Sequence, residues 1–157
     1  MSARASTLRV RATAAALGAI AFVVACVAHE AIGHGGACLA SAGRVLLVTS
    51  VFFRCAPSPW FVDVAGPAAN ALVAAAALAV LAARARLSHS WRSLCVLVFA
   101  FDGCWAAGYA IYSAVSLQGD LAFPMRAVAA SFAMPLRVAL AAAGLLAYVA
   151  VTRTSMR

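Results

Sequence analysis

The amino-acid sequence predicts an all-α integral membrane protein of about four transmembrane helices, with a short β-like segment between the first and second. Three observations lead there. Of 157 residues, 66% are apolar and only 10% charged, and the mean hydropathy is +1.00. A water-soluble domain of this size keeps too much surface to hide that apolar content, whereas a bilayer asks ~20 apolar residues of each span. The apolar residues also fall into runs of about that length, parted by short polar turns, and the twelve basic residues, all arginine, gather at the ends of the runs.

Taken in order, Arg4, Arg9 and Arg11 precede an apolar run from about Ala12 to Ala28. Val23-Val24-Ala25-Cys26 resembles a lipoprotein cleavage box. A cut there would part the span from His29 and Glu30, so a retained first helix over roughly 13–35 is expected. Gly33, Gly35 and Gly36 are read as its end. The run Arg44 to Arg54, RVLLVTSVFFR, is β-branched and aromatic, too short for a helical span and suited to a strand or hairpin. Because an open strand edge cannot face lipid, it must be covered by protein or lie at the interface. Pro57 and Pro59 then break the chain. The second span is expected over 60–83, the third over 91–115 and the fourth over 135–151. Pro124, Arg126 and Pro135 interrupt the pattern of 121–134, which reads as an interfacial helix. Arg137, near the start of the last span, can snorkel. The whole chain, 1–157, reads as one membrane domain.

Charge sets an orientation. Arg4, Arg9, Arg11, Arg84, Arg86, Arg92, Arg153 and Arg157 fall on one side and Arg44, Arg54, Arg126 and Arg137 on the other. Eight against four places both termini in the cytoplasm, in an inner or plasma membrane. The net charge of +8 is explained by that asymmetry; the arginines form no single surface stripe, and no nucleic-acid partner is expected. The expected partner is the lipid bilayer. The five cysteines contain no CxxC pair, which argues against a cysteine metal site. Cys38 and Cys55 lie between the first two spans. They can pair if that side is oxidising or remain apolar thiols. Trp60, Trp91 and Tyr148 read as interfacial anchors, His89 as a solvated loop residue, and Gly66, Gly103 and Gly108 as places where helices approach closely.

The chemistry concentrates in His29-Glu30-Ala31-Ile32-Gly33-His34. Ionisable groups at membrane depth are costly and mark function. Histidine and carboxylate are the usual ligands of catalytic zinc, which acidifies water and lets a nearby carboxylate take its proton. The zinc-hydrolase pattern HExxH sets its histidines at i and i+4 on one helix face. Here they are i and i+5, and in an α-helix they diverge by about 140°. A π-bulge near Gly33 would return both rings to one face. Alternatively Glu30 and His34, at i and i+4, hold the metal and His29 supports them. A third reading is a polar cluster bonded across the bundle without metal.

The run resembles the site-2-protease family of intramembrane zinc metalloproteases, whose transmembrane HExxH is commonly His-Glu-x-Gly-His; Gly33-His34 is retained here with one residue inserted. Gly43-Arg44-Val45 resembles the start of the β segment that follows in that family, and Gly66-Pro67-Ala68-Ala69-Asn70 its Gly-Pro-x-x-Asn element. Asp102-Gly103 resembles the Asp-Gly step that supplies its third ligand, although the usual Asn-x-x-Pro lead-in is replaced by Leu97-Val98-Phe99-Ala100-Phe101. The resemblance implies zinc held by His29, His34 and Asp102, with Glu30 as the catalytic general base. It implies that Asn70 positions a substrate, a transmembrane peptide presented in extended form.

Depth gives a separate expectation. At 1.5 Å per residue Glu30 lies ~25 Å along the first span and Asp102 only ~16 Å into the third, a mismatch of ~9 Å. Asp120 and Asp63 lie nearer to Glu30 and stand as alternative third ligands. The alternative to a zinc metallopeptidase is a catalytically inactive or non-enzymatic polytopic membrane protein, its polar residues holding the bundle together or binding a partner. An ion or proton path through Glu30, His34 and Asp102 is a further one.

Overall fold

The computed structural model describes residues 3–83, 87–126 and 130–156. Arg84, Arg86 and Arg157, counted in the charge asymmetry, lie outside the described residues. Four stretches are long and apolar enough to cross a membrane: Thr7–Ala40, Trp60–Ala82, His89–Ser116 and Phe132–Ser155. The expected all-α membrane architecture, with two short strands between its first two spans, is what the chain adopts.

The first span is longer than expected. Helix α1 (Ala3–Cys26) runs without a break into a π-helical segment (Val27–Gly35) and then α2 (Gly36–Ala40); Cys26, Gly35 and Gly36 at the junctions are all right-handed helical. Gly33, Gly35 and Gly36 therefore do not end the helix. Tertiary packing of this segment, with Gly33 and Gly35 buried, outweighs the weak helix propensity of glycine. The end comes at Ala42, whose φ of 56° is left-handed. Gly43 N donates to Cys38 O and Ala42 N to Leu39 O, which is the Schellman arrangement.

Strands β1 (Arg44–Val48) and β2 (Phe53–Ala56) form an antiparallel hairpin, Val45 opposite Cys55 and Val48 opposite Phe53, with an irregularity between Val45 and Leu47. A disulfide between Cys38 and Cys55 ties β2 to the end of α2. Gly43 makes room for it, since a Cβ there would lie 2.7 Å from Cys55 Sγ. The hairpin rests on the π-helical segment, and Leu46, Leu47, Val51 and Phe52 stay exposed.

Helix α3 (Trp60–Ala82) buries Val62, Gly66, Pro67, Asn70, Ala74 and Ala77 along one stripe and packs on the π-helical segment and on α4. Helix α4 (His89–Ser116) is central, in contact with α1, α3 and α6. Its N-terminus is capped by Ser88 and its end by left-handed Leu117. Phe22 of α1 meets Phe101 and Trp105 of α4. The second and third spans thus fall within one or two residues of expectation.

The last quarter departs from it. Instead of an interfacial helix over 121–134, a short α5 (Ala122–Arg126) is followed by α6 (Ala130–Ser155), which runs through Pro135; 127–129 lie outside the described residues. Pro135 lies inside α6, past its first turn; it removes one intrahelical bond, a loss that packed membrane helices tolerate. Arg137, expected to snorkel, bonds the end of the neighbouring span. Its Nε donates to Ala114 O at 2.7 Å and its Nη2 to Val115 O at 3.0 Å, satisfying carbonyls left open at the end of α4. Gly103 lets α4 and α6 close up, since a Cβ there would lie 2.8 Å from Val151. Gly108 has nothing within 4 Å.

Candidate metal centre

The π winding decides the site. Bonding i→i+5 instead of i→i+4 stacks residues five apart, and His29 and His34 come to one face with ring centroids 4.8 Å apart. Both are buried, as is Glu30 between them. Gly66 of α3 makes this possible: a Cβ there would strike His34 Nε2 and lie 2.8 Å from His29 Nε2. Gly33 allows the matching approach from the other side, a Cβ there meeting Ala65 O at 2.5 Å and Gly66 Cα at 2.7 Å.

Each imidazole is oriented through Nδ1. His34 Nδ1 lies 2.7 Å from Val62 O; a carbonyl only accepts, so Nδ1 carries the proton. His29 Nδ1 lies 2.6 Å from Asn70 Oδ1. The Asn70 amide is fixed in turn, its Nδ2 donating to Ala25 O at 3.0 Å and Asp102 Oδ1 at 2.8 Å, so its oxygen faces His29. Tyr109 stacks on His29 and Phe53 of β2 on His34. Both rings are thereby held with Nε2 directed at one carboxylate oxygen, Asp120 Oδ2, 2.8 Å from His29 and 3.5 Å from His34.

Asp120 belongs to the turn between α4 and α5 and is the third member of the cluster. Among the described residues, the one group whose metal-binding atoms lie together, all within 4.8 Å of one another, is His29, His34 and Asp120. Asp102, expected as third ligand, is not brought to it. It sits deeper on α4, fully buried, against Asn70, in keeping with the depth mismatch. Asn70, expected to position a substrate, has no exposed surface and holds His29 instead.

With both Nδ1 atoms protonated and the imidazoles neutral, two nitrogen lone pairs and a carboxylate oxygen converge. Acceptors alone repel one another, so a cation must stand between them, either a metal ion or a proton. In the proton-bridged form burial pushes the Asp120 carboxyl up, but the hydrogen bonds and charge of His29 and His34 outweigh it and hold the carboxyl below its usual range. Beside the cluster lies a cavity of about 260 Å³ lined in part by Glu30, His34, Phe53, Asp63 and Asp120. Glu30 Oε2 is buried without a hydrogen-bond partner among the described residues, as is Asp102 Oδ2. A buried orphan oxygen costs roughly 1–3 kcal/mol, and at Glu30 that cost falls beside a cavity. The residue types suit a divalent ion that accepts imidazole and carboxylate.

The sequence singled out His29, Glu30 and His34, and held Asp120 only as a substitute. It passed over Phe53, the Val62 carbonyl and Tyr109. One signal for Tyr109 is present: Asp102, Trp105 and Tyr109 recur at i, i+3 and i+7, a single stripe on α4. Comparison with protein-family models, with curated proteins and with solved structures finds no match.

Proposed function

We propose that this protein is a membrane-embedded zinc metallopeptidase that hydrolyses a peptide bond within a transmembrane segment. The observation that carries the reading is the convergence of His29 Nε2, His34 Nε2 and Asp120 Oδ2, with both Nδ1 atoms bonded behind them. His29, His34 and Asp120 would hold the ion. Zinc, when bound, supplies Lewis-acid polarisation of a carbonyl and acidification of water. Glu30, with Oε2 unpartnered beside the cavity, is the general base: it takes the proton of the attacking water and returns it to the leaving amine. Asn70 and Asp102 are positioning residues that keep His29 in one tautomer. The hairpin borders the cavity through Phe53 and offers an extended substrate a strand to pair with.

The orientation belongs to the same proposal. Both termini lie in the cytoplasm, supported by the arginine asymmetry and by the Cys38–Cys55 disulfide at the opposite end of the first span, where an oxidising compartment favours it.

Metal analysis of the purified protein tests the reading. Wild type carries zinc; His34→Ala and Asp120→Ala do not. Glu30→Gln keeps zinc while losing hydrolysis. A second, non-enzymatic reading rests on the 2.8 Å separation of His29 Nε2 and Asp120 Oδ2, the length of a hydrogen bond. There a proton joins the cluster and wild type carries no metal.

A further inference from the structure

Far from the cluster, at the arginine-rich end, two cavities flank the start of α4. One, of about 800 Å³, lies between α3, α4 and α6; the other, of about 340 Å³, lies between α1 and α4. They share His89, Ser93 and Leu97 as walls. Each is lined by one arginine together with apolar side chains: Arg92 with Leu78 and Val96 in the first, and Arg9 with Leu17 in the second, His89 lining both.

Charge is one-sided here. Among the described residues no carboxylate side chain lines either cavity. The chain's acids are Glu30, Asp63, Asp102 and Asp120. Three of them line the cavity at the other end of the bundle, and Asp102 is buried against Asn70. Among the described residues Arg9 and Arg92 have no ion-pair partner. Exposed Trp91 adjoins Arg92, an aromatic placement typical of the headgroup level. An occupant must therefore bring negative charge at the interface and hydrocarbon below it. A soluble anion satisfies only the first demand and a neutral lipid only the second.

We infer that these cavities bind an anionic phospholipid, its phosphate against Arg92 and His89 in the first and against Arg9 and His89 in the second, with its acyl chains along α4. His89 is then a headgroup contact and not merely a solvated turn residue. Each basic side chain at such a surface strengthens the attraction to an anionic headgroup by about fivefold in affinity. The site is independent of the metal centre, and its test does not require activity.

The full-length protein, purified in neutral detergent, is titrated with phosphatidylglycerol or phosphatidylcholine and bound lipid is counted by native mass spectrometry. Phosphatidylglycerol is expected to be retained preferentially. Arg92→Ala and Arg9→Ala each weaken that retention by about fivefold, Arg92→Lys restores most of it, and Arg44→Ala at the opposite end leaves it unchanged. Inorganic phosphate in excess does not displace the lipid. Equal retention of both lipids would overturn the inference. So would an Arg44→Ala loss as large as that of Arg92→Ala, or full displacement by phosphate, which would mark a simple anion site. Arg92→Lys guards against misfolding, since it keeps the charge on an exposed position.

Discussion

At the scale of single side chains, the cluster is layered. His29 faces Asp120 with Nε2 only because Asn70 occupies Nδ1, and Asn70 presents its oxygen only because Ala25 O and Asp102 occupy its amide nitrogen. Removing a supporting partner of this kind weakens metal affinity by about 10–100-fold. Asp102→Ala is therefore expected to retain zinc with affinity lowered by that order, whereas Asp120→Ala abolishes stoichiometric binding; competition with a chelator of known affinity reads the difference. Glu30→Gln is expected to leave zinc and folding intact and to lower hydrolysis by roughly 10²–10⁴-fold, the usual contribution of a general base. Gly66→Ala pushes a methyl into both imidazoles. It should cost roughly 1–3 kcal/mol of stability through overpacking and release the metal, both measurable by thermal unfolding with and without added zinc. If Gly66→Ala bound zinc like wild type, the close approach would have no part in the site.

At the scale of elements, the π-helical segment and the hairpin are the two devices that matter. The inserted residue in His29–His34 left two repairs open, and the π winding is the one present. Deleting exposed Ala31 turns the run into His-Glu-Ile-Gly-His at ordinary α spacing. Because one residue is what the altered winding absorbs, this deletion should keep both rings on one face and preserve zinc. Inserting a second alanine at the same place should lose it. The disulfide closes a loop of 17 residues' separation around the hairpin, worth about 3 kcal/mol in the chain-entropy account. Replacing Cys38 and Cys55 by serine should lower the unfolding midpoint and free Phe53 from its place on His34, read as faster zinc release.

The same elements explain how far the sequence could be read. The second and third spans, set by long uninterrupted apolar runs, came within two residues because length in a bilayer is a hard constraint. The end of the first helix was misplaced because three closely spaced glycines read as a stop although all are wound into the helix, and the last span because Pro135 reads as a breaker although α6 runs through it. Asp120 was legible only as a depth, since its position follows from the left-handed Leu117, from Leu121 N bonded to Ser113 Oγ, and from Arg126 bonded to Leu117 O. No periodicity encodes a turn of that kind.

At the scale of the whole molecule, the carboxylates gather toward the end of the bundle that bears the disulfide, while eight of the twelve arginines fall on the other side. The proposed zinc chemistry lies at the end bearing the disulfide, and the proposed phospholipid contact at the end where most of the arginines gather. Fusing topology reporters to both termini should place both in the cytoplasm; a signal from the far compartment at either end would refute that orientation.

The chain separation within the candidate metal centre bears on biogenesis. His29 and Asp120 are separated by 91 positions, so the first donor leaves the ribosome long before the last. Until α4 has entered the bilayer and the turn behind it has closed, the two imidazoles form an incomplete chelate. On the proposed metal reading, loading would be a late event in synthesis, and a nascent chain truncated before Asp120 would lack the third donor however well its first helices insert.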